Sequence, residues 1–408
     1  MLALTARPDA SREGYDARER RKRENAVGPF KAAVEWINRN RADLLVWLIA
    51  AVTWVLGYLS YIRNLGLYFY DSRYYMAYAF WFSGDSQQVA RDKTAAFFAA
   101  HNIVMPSTDV TFGWGLVQPR VVLPLLSAPF MGLGPYGLAV IPALASIAFT
   151  IVAIILMKRR YGNLAAIATI VLALASFHIM IYMTAMLTES LSAMWSALAL
   201  LVAWRYMRTR QWWLLVIVGG ITLLSAFTRQ ATLIMAGAFV AAWLLGMLVS
   251  LRWRSPWMWP AIVVGATAVG AQIVQTLVFP FSQASQFMRI TGSSTLTEAI
   301  GHVPGLAKLL LVTDIKDFMQ NDKPLLFILF LSVGAMILFW RHEEAHLLFG
   351  AILAVALYNI TNGTSTTFRY AIPGVIFYLL PLALMLQATV KRRQPGTAPE
   401  LSAPPQRL

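Results

Sequence analysis

Val121-Val122-Leu123-Pro124-Leu125-Leu126-Ser127-Ala128-Pro129-Phe130-Met131-Gly132-Leu133-Gly134 is apolar, but it is shorter than a bilayer-crossing helix and carries two prolines. A transmembrane helix needs roughly 20 apolar residues. The reading of this stretch decides the fold. Counted as a membrane span, it moves Lys158-Arg159-Arg160 to the outer side and inverts every later segment. Read as a helix lying on the outer membrane surface, it leaves all the basic connectors on one side.

The rest of the chain supports that frame. Its 408 residues are 58% hydrophobic and 13% charged, against about 25% charged in soluble domains. This composition predicts an all-α polytopic membrane protein. About ten spans are expected, near residues 44–62, 136–157, 164–183, 189–206, 213–228, 231–251, 257–280, 325–340, 347–360 and 370–390. The ninth is the shortest. Lys158-Arg159-Arg160, the trio Arg205, Arg208 and Arg210, the pair Arg252 and Arg254, Arg341, and Lys391-Arg392-Arg393 then share the cytoplasmic side with the basic N-terminus. Both termini are expected to be cytoplasmic, in a multi-pass protein of the cytoplasmic (inner) membrane. Residues 1–43 read as a polar, basic N-terminal segment and not a cleavable signal. Residues 391–408 read as a Pro-rich disordered tail, and 44–390 form the membrane domain.

Two long loops lie outside, at 63–120 and 281–323, with residues 121–134 as a surface helix after the first. In the second, Leu306, Leu309, Leu310, Ile315 and Phe318 recur at helical spacing and predict another surface-lying helix. The net charge of +15 sits mostly in tails and short connectors, which argues against a nucleic-acid partner. The chain has no cysteine, which removes disulfides and thiolate metal sites.

Residues with chemistry gather at the outer ends of the spans. Tyr70-Asp71-Ser72-Arg73-Tyr74-Tyr75 opens the first outer loop. Leu187-Thr188-Glu189-Ser190-Leu191 opens the fourth span, followed by an Arg-rich connector, Trp212-Trp213 and Ala226-Phe227-Thr228-Arg229. Phe368-Arg369-Tyr370-Ala371-Ile372-Pro373 opens the last span. In this order, with a Pro-containing surface helix before the second span, the chain resembles the GT-C superfamily of integral membrane glycosyltransferases. Those enzymes use polyprenyl-phosphate sugars as donors; protein mannosyltransferases and aminoarabinose transferases are examples.

The resemblance implies an inverting transfer with Asp71 as general base and a lipid-linked sugar as donor substrate. It leaves open the sugar, the acceptor (glycan, lipid or protein) and any divalent metal. No metal ligands and no further cofactor are assigned. The ring-rich surroundings of Asp71 are expected to raise its pKa and improve it as a base. As an ordinary loop acid it would instead cap the helix that follows. Glu189 reads either as a second acid facing the cavity or as a first-turn acid favoured by the helix dipole. Arg229 and Arg369 suit the donor phosphate because a guanidinium offers paired donors; otherwise they snorkel to the headgroups. Arg120 is a further candidate, ahead of Arg91 and Lys93. Tyr74 and Tyr75 are candidates for stacking on a sugar, although the aromatics from Tyr68 to Phe82 most simply form an interfacial belt. Asp85 reads as a turn residue and His178 as a packed polar group.

Two other classes compete. His342-Glu343-Glu344-Ala345-His346 matches the zinc-protease pattern, but no histidine follows it and the next acid is Glu400 in the tail. A transporter or flippase of lipid-linked saccharides would place ionisable groups near the midplane among broken helices. Here they cluster at span ends, and no internal repeat is evident. A polymerase or ligase sharing the donor would carry its functional loop later in the chain.

The absence of native cysteines makes topology directly testable. Single cysteines at Asp85 and Asp314 should react with an impermeant reagent from outside, and one at Met207 only after the membrane is opened. Labelling at Met207 from outside overturns the orientation.

Overall fold

The computed structural model describes residues 40–63, 66–251, 255–279, 282–363 and 367–392. The basic run Arg18 to Arg23 and the tail from residue 393 lie outside the described residues. Contacts divide the chain into residues 1–49 and 50–408. The described part of the first unit is the opening of α1 (Asn40–Arg63); the second holds everything else.

Every regular element among the described residues is helical. The first long loop folds into α2 (Ser72–Phe82), α3 (Gln87–Ala99) and α4 (Thr108–Gly113). It is followed by α5 (Val122–Ser127) and 3-10 turns at Ala128–Leu133 and Pro135–Ala139. The next segments are α6 (Val140–Tyr161), α7 (Asn163–Ala175), α8 (Phe177–Thr184), α9 (Glu189–Thr209), α10 (Trp213–Thr228), α11 (Thr232–Ser250) and α12 (Met258–Val278). The second long loop holds α13 (Gln283–Thr291), α14 (Leu296–Gly301) and α15 (Val303–Asn321). The chain closes with α16 (Lys323–Leu338), α17 (Glu343–Asn362), a 3-10 turn (Arg369–Gly374) and α18 (Val375–Arg392).

The chain is a multi-pass membrane protein. Six helices are long and apolar enough to cross a bilayer: α1, Pro135–Tyr161, α11, α12, α17 and Arg369–Val390; the bent pair α7 and α8 makes a seventh. Shorter apolar helices α10 and α16, and α9 with its Glu189, Arg205 and Arg208, underlie the remaining expected spans. The ninth span, shortest in the sequence, is a full helix of 20 residues. Its first turn is tied down by Arg160, which bonds Glu343 and Glu344 at 2.6 Å each. Tyr161 adds a hydrogen bond to Glu344, and Trp257 one to Glu343. The zinc-protease pattern is thereby absorbed, since its acids already hold α6 and α12 against α17.

The 78° break between α7 and α8 has an identifiable cause. Ser176 caps α8 through Ile179 N–H, and the buried Asp322 carboxylate accepts from Ser176 Oγ and His178 N–H at 2.7 Å each. A carboxylate at a helix N-terminus meets orphaned donors and the positive end of the dipole. His178, read as a packed residue, faces Asp322 through Nδ1 at 3.0 Å and Asp317 through Nε2 at 2.9 Å.

The aromatics of the first long loop divide: Tyr70 is exposed and Tyr68, Phe69, Trp81 and Phe82 are half-buried, whereas three tyrosines face inward. Tyr74, Tyr75 and Tyr78 are buried in the loop's own core, because α3 and α4 fold over α2. Tyr78 hydroxyl donates to Phe112 O, and the Arg91 guanidinium holds Pro106 O. Asp85 pairs with Lys93 at 2.8 Å. The periodic stretch of the second loop is helical as expected, with Leu310 and Phe318 inward and Leu309 and Ile315 exposed.

The tightest helix contact is between α11 and α17. A Cβ on Gly350 would lie 2.2 Å from Gly237 O, so the two backbones touch. Small residues permit this approach where helices pack in lipid. Gly350→Ala should cost about 1–3 kcal/mol, as overpacking does, read as a lower melting temperature in detergent. Gly334→Ala in α16, where nothing lies within 4 Å, should be neutral or slightly stabilising. Equal melting of both variants would show that the glycine contact is not limiting.

Candidate functional site

Three connections bring distant charged residues together. Met186 N–H donates to Leu67 O at 2.7 Å, tying the start of the first loop to the turn before α9. Arg229 ends α10, where a cation complements the dipole. Thr367 and Phe368 both adopt left-handed backbone, φ 47° and 71°, before Arg369. Non-glycine residues in this region are strained and persist only where the surroundings enforce them. Here Tyr182 hydroxyl meets Thr367 Oγ1 at 2.8 Å, and Phe368 packs among Phe318 and Tyr378.

The result is a four-member ionic network. Arg369 Nη2 bonds Asp71 Oδ2 at 2.6 Å, and its Nε bonds Glu189 Oε1. Arg229 Nη1 reaches the same Glu189 oxygen at 2.6 Å. Glu189 is fully buried and Arg229 nearly so (0% and 2% exposed), whereas Asp71 keeps 32% of its side chain open. Arg229 also lies over the Tyr370 ring, 5.2 Å from its centroid, and Tyr370 packs on Tyr358. Arg120 is buried beside the network and donates to Tyr75 hydroxyl at 3.0 Å.

Three guanidiniums therefore face two carboxylates, leaving one excess positive charge. The donors are under-used as well. Arg229 Nε and Arg120 Nε are buried with no hydrogen-bond partner. A guanidinium has five donors and an orphaned one is costly, so the arrangement suits an acceptor-rich anion.

Asp71 stands at the N-cap position of α2 but makes no capping hydrogen bond; its carboxylate goes to Arg369 instead. The expectation that its surroundings raise its pKa is overturned. Burial does push the carboxyl up, but the charges of Arg369, Arg120 and Arg229 and the Arg369 hydrogen bond outweigh it and hold it below the ordinary value. Sequence reasoning saw the rings and not the guanidiniums, which arrive from distant parts of the chain.

Of the residues expected at the site, Asp71, Glu189, Arg229 and Arg369 share one network, and Arg120 with Tyr75 adjoins it. Tyr74 does not join: its hydroxyl takes a hydrogen bond from Arg73 and its ring packs on Trp114. Arg91 and Lys93 serve the loop's own fold. Tyr370, Tyr358 and Gln230 were missed. Tyr370 and Gln230 were legible only as neighbours of Arg369 and Arg229, and Tyr358 had no signal.

An apolar cavity of about 890 Å³ starts beside this network. Gln230 and Tyr358 line its head, and α11, α12 and α17 form its walls. On α11 the lining runs from Leu233 to Leu245, roughly 18 Å at 1.5 Å per residue. That is over half of the ~30 Å hydrocarbon core.

The network separates structural from chemical loss. Glu189→Gln leaves buried Arg229 without its charge partner and should cost about 3–5 kcal/mol. Asp71→Asn, at a more open position, should fold. Because the Asp71 pKa is depressed, its ion pair contributes stability above the unfolded value of about 3.9 and loses it as pH falls through the folded value. The melting difference between wild type and Asp71→Asn should hold from pH 7 to pH 5 and close only below about pH 4. Closure near pH 6 would contradict the pairing.

No family model matches the chain, and neither a curated protein nor a solved structure matches it.

Proposed function

We propose that this chain is a GT-C-like membrane glycosyltransferase that moves a sugar from a polyprenyl-phosphate donor to an acceptor at the outer face of the cytoplasmic membrane. The observation that carries the reading is the excess of buried guanidiniums over carboxylates beside Gln230 and Tyr358, which line an apolar cavity. A charged head beside a long apolar groove fits an anionic lipid. A partly open carboxylate at the same place fits transfer chemistry on that lipid.

In the reaction, the acceptor hydroxyl oxygen attacks the anomeric carbon and a new C–O bond forms. The bond from that carbon to the phosphate oxygen breaks, and its electron pair leaves with the lipid phosphate. Arg229, Arg369 and Arg120 stabilise the departing anion, and the hydroxyl proton passes to Asp71. Its depressed pKa keeps Asp71 ionised at neutral pH but weakly basic. A phosphate competing for Arg369 draws off the cation that depresses it, so donor binding raises the basicity of Asp71 where it is needed. Inversion at the sugar follows from a single displacement. Glu189, shared by Arg229 and Arg369, fixes the guanidiniums.

The second reading is a transporter of lipid-linked saccharides, favoured by the broken helix at Ser176. One assay separates the two. In reconstituted vesicles Asp71→Asn should retain donor binding and lose roughly 10²-fold or more in transfer rate. Full transfer by that variant removes Asp71 as base, and movement of donor across the bilayer with no product in wild type establishes the transporter.

A further inference from the structure

The cavity beside the network is not uniformly apolar. Its deep part is lined by residues such as Leu244, Leu245, Val269 and Leu353, while its head carries Gln230, Gln272, Thr276 and Gln283. No lining residue is charged. Gln283 is partly engaged, with its Nε2 3.3 Å from Thr361 Oγ1.

Gln230 differs from the others. It is 6% exposed, and its Oε1 is buried without a hydrogen-bond partner. Neither end of its carboxamide bonds to another described side chain or backbone group. Buried amides are ordinarily satisfied. The Gln230 Oε1 has no open surface at rest, but the residue lines the cavity, and rotation about its soft terminal torsion turns the carboxamide to what enters there. The residue directly follows Arg229 in the chain, and Tyr358, which also lines the cavity, packs on Tyr370, the ring over which the Arg229 guanidinium lies.

We infer that Gln230 is a specificity-determining residue that hydrogen-bonds hydroxyls of an uncharged sugar, a neutral hexose or pentose, carried on the lipid phosphate. The inference rests on reading the site as one for a lipid-linked sugar, and it adds the sugar's chemical class. A carboxamide both donates and accepts, which matches vicinal hydroxyls. The cavity lining is uncharged, and the one excess positive charge of the neighbouring network is taken up by the lipid phosphate. An amino sugar or a uronic acid therefore finds no unspent counter-ion, and its desolvation is unrepaid. A site built to bond a hydroxyl discriminates strongly against ligands that lack one.

The test is a binding series on purified full-length protein, using polyprenyl phosphate alone, its mannosyl and arabinosyl esters, and its aminoarabinosyl ester. Wild type should bind at least one neutral glycosyl lipid about tenfold more tightly than bare polyprenyl phosphate, and the aminoarabinosyl lipid no more tightly than the bare one. Gln230→Met, close in volume, should erase that tenfold preference and leave bare polyprenyl phosphate binding unchanged. Gln230→Asn keeps the carboxamide but withdraws it by one methylene; it should shrink the preference and serves if the Met variant does not fold. A preference that survives both substitutions overturns the inference, as does an equal loss for bare and glycosylated lipid, which would assign the carboxamide to the phosphate. Tighter binding of the aminoarabinosyl lipid also overturns it. Failure of wild type to bind polyprenyl phosphate at all overturns the underlying reading of the site instead.

Discussion

A buried carboxylate between two guanidiniums organises this protein. Glu189 Oε1 accepts from both Arg229 and Arg369, and Arg369 extends the chain of charges to Asp71. Ions taken out of water cost several kcal/mol each unless paired, so none of these side chains is tolerable alone at this depth. The pairing draws together the end of α10, the start of α9, the turn before α18 and the first long loop. Four distant segments thereby depend on one set of charges. The same arrangement leaves more positive charge than negative and several donors without acceptors, which a purely structural network would not need.

Fold class was legible from composition and span length, because a helix that crosses lipid must satisfy its backbone internally. Helical segments underlie all the expected spans, and Leu306 to Phe318 is helical on its periodicity alone. The break at Ser176 was not legible. Hydropathy runs through it without interruption, and its cause, Asp322, lies far away in sequence. The burial of Tyr75 and Tyr78 was not legible for a related reason: their partners, Arg120 and Phe112, lie 45 and 34 residues further along the chain.

The four network residues could each be singled out as charges at helix ends. Their partners could not. That Arg369 meets Asp71, and so lowers its pKa against the direction its aromatic neighbours suggest, depends on a contact across most of the chain. Gln230 is marked only by its place next to Arg229, and Tyr358 by nothing, since an amide and a phenol beside apolar runs are ordinary in membrane helices. What sequence supplies here is the set of costly residues; which of them share a cost is decided by packing.

Gly237 and Gly350 hold α11 against α17 and also line the cavity. The floor of the groove is therefore the tightest seam of the bundle, and neither glycine can grow to narrow the groove without prising the seam apart. The α12 wall has more latitude: at Gly265 the nearest atom to an added Cβ is Val240 Cγ2, at an ordinary 3.8 Å. The width of the groove is consequently adjustable from the α12 side alone, with the α11–α17 pair as its fixed edge.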